Sequence, residues 1–163
     1  MQKIAVFTGT RAEYGLMKTL IKKLESDIDI DFNLLISGTH LEEKFGNTKD
    51  EIHFDGIKNT QFLKIKKDLT YKNPMSYQTG ETIKLISKAL ESLNPKFLIV
   101  LGDRYESFAA AVAAHLSRIK IVHLHGGEKS LGSIDNKLRN AISQLSTYHF
   151  TSAEIHKINV ENI

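Results

Sequence analysis

An α/β fold built on a doubly wound parallel sheet is the architecture this sequence predicts, and three observations carry it. Short apolar runs alternate with longer amphipathic stretches along the 163 residues, the pattern of successive βα units. One run, Phe97-Leu98-Ile99-Val100-Leu101, is apolar on both faces, as a strand covered from both sides must be. Polar, glycine-containing segments follow the apolar runs directly, at 9–11, 102–104 and 125–128, where the strands of such a sheet hand over to helices.

Taken in order, residues 4–8 read as a first strand. Thr10-Arg11-Ala12-Glu13 has capping-box spacing, in which the Thr10 hydroxyl and the Glu13 carboxylate each satisfy an orphan backbone N–H. The helix that follows is expected to carry Leu16, Leu20, Ile21 and Leu24 on its inner face. Residues 30–37 read as a second strand ended by Gly38. The polar stretch 39–56 is expected to be a partly helical excursion over the sheet edge, with 60–65 an edge strand. Pro74 marks a helix start, and Ile83, Ile86, Leu90 and Leu93 keep helical spacing up to Asn94-Pro95. After the central strand, 105–116 is an alanine-rich helix, 121–124 a strand, 133–145 a helix and 149–151 a short last strand. The chain is expected to be a single domain over 1–163, and its end at Ile163, inside a helical pattern without stop signals, suggests a fragment.

Composition narrows the function classes. Lys plus Arg number 22 and Asp plus Glu 19, so the net charge of +3 comes from interspersed charges; Lys64, Lys66 and Lys67 lack interleaved aromatics, which argues against nucleic acid. Cysteine is absent, which removes disulfides and thiolate metal sites. No signal peptide or membrane span is evident, so a cytoplasmic location is expected. The segment at 9–11 matches neither Gly-x-Gly-x-x-Gly nor the P-loop, which removes the main support for dinucleotide or ATP binding.

The three strand ends supply the chemistry. Gly9 allows a sharp turn, and Arg11 at a helix N-terminus suits a phosphate; its plain alternative is a solvated first-turn residue. Asp103, with Glu106 three residues on, has the shape of an N-cap and its box partner. His123 and His125 flank Leu124 and are expected on opposite sides of the strand, which with the lack of a third ligand argues against metal. Gly126-Gly127 permits close approach of a ligand and places Glu128 on a rim. Asp135, four residues before Arg139, supports an intrahelical ion pair. Asp103, Glu128 and Asp135 should converge at one end of neighbouring strands, where mutual repulsion makes one hold a proton and act as acid while another acts as base.

These segments in order resemble the UDP-N-acetylglucosamine 2-epimerase family, especially its hydrolysing branch. The matching residues run from Phe7-Thr8-Gly9-Thr10-Arg11-Ala12-Glu13-Tyr14-Gly15 through Ser37-Gly38-Thr39-His40-Leu41, Phe45-Gly46-Asn47-Thr48, Gly102-Asp103-Arg104 and His123-Leu124-His125-Gly126-Gly127-Glu128 to Ile134-Asp135 with Arg139. The resemblance implies the Rossmann-like N-terminal half of a two-domain GT-B-type fold, with the C-terminal nucleotide-binding domain outside this chain. It implies anti elimination of UDP from a UDP-sugar and then addition of water with inversion at C2, feeding sialic-acid-type sugars. By resemblance, Asp103 and Asp135 are the essential carboxylates, His125 or Glu128 the further acid or base, and Gly9, Arg11, Glu13, Arg104 and Arg139 substrate contacts. The His-x-His-Gly-Gly-Glu form resembles the subgroup acting on UDP-N,N'-diacetylbacillosamine, whereas Asn136 and Asn140 depart from the acidic residue and the histidine usual in the family. No cofactor or metal is implied, and a homo-oligomer is expected for the complete protein. The alternatives are a non-hydrolysing 2-epimerase and a non-catalytic binding module.

Overall fold

The computed structural model describes residues 1–42, 48–66, 70–130 and 135–163. Its elements follow the sequence closely. Strand β1 (Gln2–Thr8) leads to helix α1 (Arg11–Ser26) and strand β2 (Ile30–Ile36); a 3-10 turn at Gly38–Leu41 precedes α2 (Thr48–Phe54) and the short β3 (Thr60–Phe62). Then come α3 (Pro74–Leu93), β4 (Phe97–Leu101), α4 (Tyr105–Leu116), β5 (Lys120–Leu124), α5 (Asp135–Leu145), β6 (Tyr148–Phe150) and α6 (Glu154–Glu161). The six strands are parallel, in the order β3-β2-β1-β4-β5-β6.

Period-two alternation sorts the strand side chains between two cores. Ala5, Phe7, Leu98 and Val100 face α3, α4 and α5, where the alanines of α4 let helix and sheet approach closely. Val6, Ile99 and Leu101 face the other way, toward α1 and Ile52 of α2. The inner face of α1 is made by Tyr14, Met17, Ile21 and Leu24, and the expected Leu16 is 66 % exposed instead. Residues 14, 17, 21 and 24 share one helical stripe, and Leu16 lies off it. On this side β4 to β6 remain more open, with Phe150 exposed.

Local signals hold at most boundaries. Thr10 Oγ1 accepts from the Glu13 N–H at 3.2 Å and Glu13 Oε2 accepts from the Thr10 N–H at 3.1 Å, the reciprocal box read from the sequence. Asn94, left-handed at φ 47°, ends α3 just before Pro95. Two readings are corrected. The N-cap of α4 is Arg104, without a side-chain cap bond, so Asp103 caps nothing and is available for other partners. The last helix closes at Glu161 with Asn162 as its cap residue, before the chain end. Of the elements expected from sequence, the start of the 133–145 helix and most of Phe45-Gly46-Asn47-Thr48 lie outside the described residues. Among the described residues no helix is long and apolar enough to cross a membrane.

Strand order reverses between β1 and β4, and the ends of these two strands open the crevice where ligands bind in sheets of this type.

Candidate active site

Among the described residues two polar clusters occupy the carboxyl edge. The first surrounds the switch between β1 and β4. Glu13 turns inward from the first turn of α1, and its Oε2 accepts the N–H groups of Gly9 at 2.7 Å and Thr10 at 3.1 Å, while Ser107 donates to Oε1 at 3.4 Å. Burial, joined by the charge of Glu106, pushes its pKa up to about 7 against the opposing Gly9 N–H and Arg104. Two amides of the anticipated anion site are thus already taken by a carboxylate. Arg11 lies at the start of α1 but is exposed and pairs with Glu51 of α2 at 2.9 Å. Arg104 is the cation at the end of β4, bound through Nε and one terminal nitrogen to both oxygens of buried Glu106, at 3.1 and 2.9 Å.

The second cluster joins the ends of β4, β5 and β6. Arg139, buried on α5, reaches across to Asp103 Oδ2 and donates its other terminal nitrogen to the Glu128 carbonyl and, at 3.1 Å, to Asn136 Oδ1. The ion pair found for Arg139 is therefore with Asp103, 36 residues away, where the sequence had suggested Asp135. The Asn136 amide oxygen serves as an acceptor where the family usually has a carboxylate. Asp103 is itself pushed upward in pKa by burial and by the nearby charge of Asp135, and Arg139 only partly offsets this. Of the three carboxylates expected to converge, Asp135 bears on Asp103, whereas the Glu128 carboxylate turns to His125 and Ser152 and only its backbone carbonyl meets Arg139.

The histidines divide the work. Buried His123 is anchored by Nδ1 to Ser143 Oγ at 3.0 Å and by Nε2 to the Gly102 carbonyl at 2.8 Å, and burial holds its pKa down to about 4. It is a neutral core residue that fixes the turn before Asp103. Strand alternation would place residues 123 and 125 on the same face; what separates them is that β5 ends at Leu124 and His125 adopts φ 63°. His125 is part-exposed, with Nδ1 2.7 Å from Glu128 Oε1. That oxygen also accepts from Ser152 Oγ at 2.6 Å, and Ser152 lies 2.8 Å from His156 Nδ1. Burial would raise the Glu128 pKa, but Ser152, His125 and His156 outweigh it and hold the carboxyl below its ordinary value. Ser152 and His156 escaped the sequence reading, although their i, i+4 spacing at the start of α6 was visible; Glu106 was noticed only as a helix cap.

At Gly126 and Gly127 the room a side chain would take is filled by protein. A Cβ at Gly126 would meet Ser143 Oγ at 2.9 Å, and one at Gly127, φ 77°, would lie 2.0 Å from the His156 carbonyl oxygen. A Gly127→Ala substitution therefore has to displace α6 and adopt an unfavourable backbone. It is expected to cost roughly 3 kcal/mol, seen as a lower urea midpoint; an unchanged midpoint would show that α6 does not depend on this contact. Among the described residues no group of three or more His, Cys, Asp or Glu side chains is arranged to hold a metal ion.

Fold and site together define a doubly wound α/β domain whose acid-base groups gather at the carboxyl edge, beside the topological switch. The profile of the UDP-N-acetylglucosamine 2-epimerase family matches residues 22–163, and the chain belongs to that family. It is similar to the UDP-N,N'-diacetylbacillosamine 2-epimerase (hydrolyzing) of Legionella pneumophila, 40% identical over 96% of this chain and 41% of that protein. The GDP/UDP-N,N'-diacetylbacillosamine 2-epimerase (hydrolyzing) of Campylobacter jejuni is 36% identical over 96% of this chain and 40% of its own length. Among solved structures, the UDP-GlcNAc 2-epimerase of Neisseria meningitidis bound to UDP-GlcNAc superposes with a TM-score of 0.82 at 26% identity, over 100% of this chain and 43% of that one. The chain thus spans about two fifths of the length of the curated relatives it matches.

Proposed function

We infer that this chain is the N-terminal half of a hydrolysing UDP-sugar 2-epimerase acting on UDP-N,N'-diacetylbacillosamine, with a second domain supplying the remaining nucleotide contacts. The observation that carries the reading is the placement of two acid-base pairs along the carboxyl edge, Asp103 beside Asp135 and His125 on Glu128, in a chain 40% identical to a relative named for that reaction. A base removes the C2 proton, the C1–O bond breaks and UDP departs. Water then adds across the resulting glycal, oxygen to C1 and hydrogen to the opposite face of C2, releasing the free 2-epimer.

Geometry favours distinct roles for the two residues left open by the sequence. Glu128 binds Nδ1 of His125 and is itself held by Ser152, an arrangement that orients the imidazole. His125, with Nε2 pointing away from that bond, is the proton-transfer group and Glu128 its orienting carboxylate. Asp103, raised by burial and by Asp135, serves the other proton step.

The test is to incubate the complete protein with UDP-N,N'-diacetylbacillosamine and with UDP-N-acetylglucosamine, and to quantify UDP and free sugar. Free UDP with a 2-epimerised free sugar is expected, with higher kcat/KM for the diacetamido substrate. A C4 acetamido pocket presents polar partners that go unpaired when the group is missing. UDP retained on the epimerised sugar would indicate the non-hydrolysing reaction, and equal kcat/KM values would remove the substrate preference. The 163-residue chain alone is expected to release no UDP, because the reacting groups and the nucleotide must be held together.

A further inference from the structure

We propose that Glu106 is the positioning residue for Arg104, and that Arg104 so held is the cation that receives an anionic group of the substrate at the β1–β4 switch. The assignment rests on the UDP-sugar reading above and names a contact for its diphosphate.

Glu106 stands in the first turn of α4, where a carboxylate would ordinarily face solvent and favour the helix dipole. Here it is buried, 1% exposed, and both of its oxygens accept from Arg104. The end of the sheet is shaped around this side chain. A Cβ at Gly9 would lie 3.3 Å from Glu106 Cβ, and one at left-handed Gly38 would lie 3.2 Å from Oε1. Gly9 therefore leaves room that Glu106 fills, whereas a side chain at Gly38 would first meet the Gly9 carbonyl oxygen, at 2.5 Å. A buried carboxylate is costly, and a two-point fork onto a guanidinium is the geometry that both compensates it and fixes the cation's plane.

The fork uses Nε and one terminal nitrogen, and the Arg104 side chain remains 40% exposed. Its remaining donors are thus held in one orientation beyond the carboxyl end of β4, so little side-chain freedom is lost when an anion arrives. The other arginine of this end, Arg11, is turned onto Glu51, and the Gly9 and Thr10 amides are occupied by Glu13. Of the two arginines, Arg104 is the one fixed by a buried carboxylate.

The experiment is a double-mutant cycle in the complete protein, with Glu106→Gln, Arg104→Ala and the pair, reading KM and kcat for UDP release together with thermal melts. Glu106→Gln is expected to raise KM about tenfold with kcat nearly unchanged. It should add nothing further in the Arg104→Ala background, because both act through one guanidinium. An unchanged KM in folded Glu106→Gln, or KM effects that multiply, would overturn the proposal. Should Glu106→Gln fail to fold, Glu106→Asp, which keeps the charge and shortens the reach, carries the same cycle. A wild-type protein that releases no UDP would defeat the epimerase reading itself; in that case UDP binding by calorimetry across the same four proteins decides the Arg104 contact, and equal affinities overturn it.

Discussion

Asp103→Asn in the complete protein is expected to lower kcat for UDP release by about 10²–10⁴-fold, the usual contribution of a positioned proton-transfer group. The amide keeps the size of the carboxylate but cannot accept a proton. The same substitution also weakens the fold, because Asp103 is the anionic partner of buried Arg139 and not a helix cap. An amide oxygen can still accept from the guanidinium but does not neutralise it, so the loss is about 3 kcal/mol. Turnover and urea denaturation measured on the same preparation separate the two effects. A folded variant with near-normal turnover and only a lowered midpoint would leave Asp103 as a structural partner of Arg139.

Glu13→Gln is expected to abolish a pH dependence of stability. The folded-state pKa of Glu13, about 7, is raised above its ordinary 4.5 by burial and then by Glu106. Below 4.5 the carboxyl is protonated in both states and costs nothing. As pH rises from 4.5 to 7 the unfolded chain releases its proton while the folded protein retains it, so stability falls, by on the order of 3 kcal/mol above pH 7. Buried His40 and His123, both held down to about 4, act in the opposite direction, with stability falling as pH drops from 6.5 toward 4. Comparing wild type with variant at pH 5 and pH 8 cancels the histidines. Glutamine can still accept the Gly9 and Thr10 amides, so the variant is expected to lose less stability than wild type on going from pH 5 to pH 8. Equal losses in the two proteins would show that Glu13 is ionised throughout.

The same residues show how far a sequence reading reaches. The capping box at Thr10 and Glu13, the helix stop at Asn94-Pro95 and the buried strand at 97–101 rest on contacts within a few residues or on simple periodicity, and each is present in the structure. Asp103-x-x-Glu106 matched the same local template, yet Glu106 instead closes a fork on Arg104 and Asp103 reaches α5. A template counts residue types and spacings; it does not include competing partners brought in by the fold.

By itself, then, the sequence determined the order and kind of the elements, the parallel α/β class and the edge of the sheet where the polar groups collect. These follow from local backbone preferences and from the periodic burial of apolar side chains. Tertiary structure alone decided the partners: Arg139 with Asp103, Arg11 with Glu51, His125 with Glu128, and Gly127 against α6. A charged side chain offered several partners takes those that burial and geometry bring within about 3 Å, and desolvation makes that choice costly to refuse. Those distances exist only once helices and strands far apart in the chain have packed together.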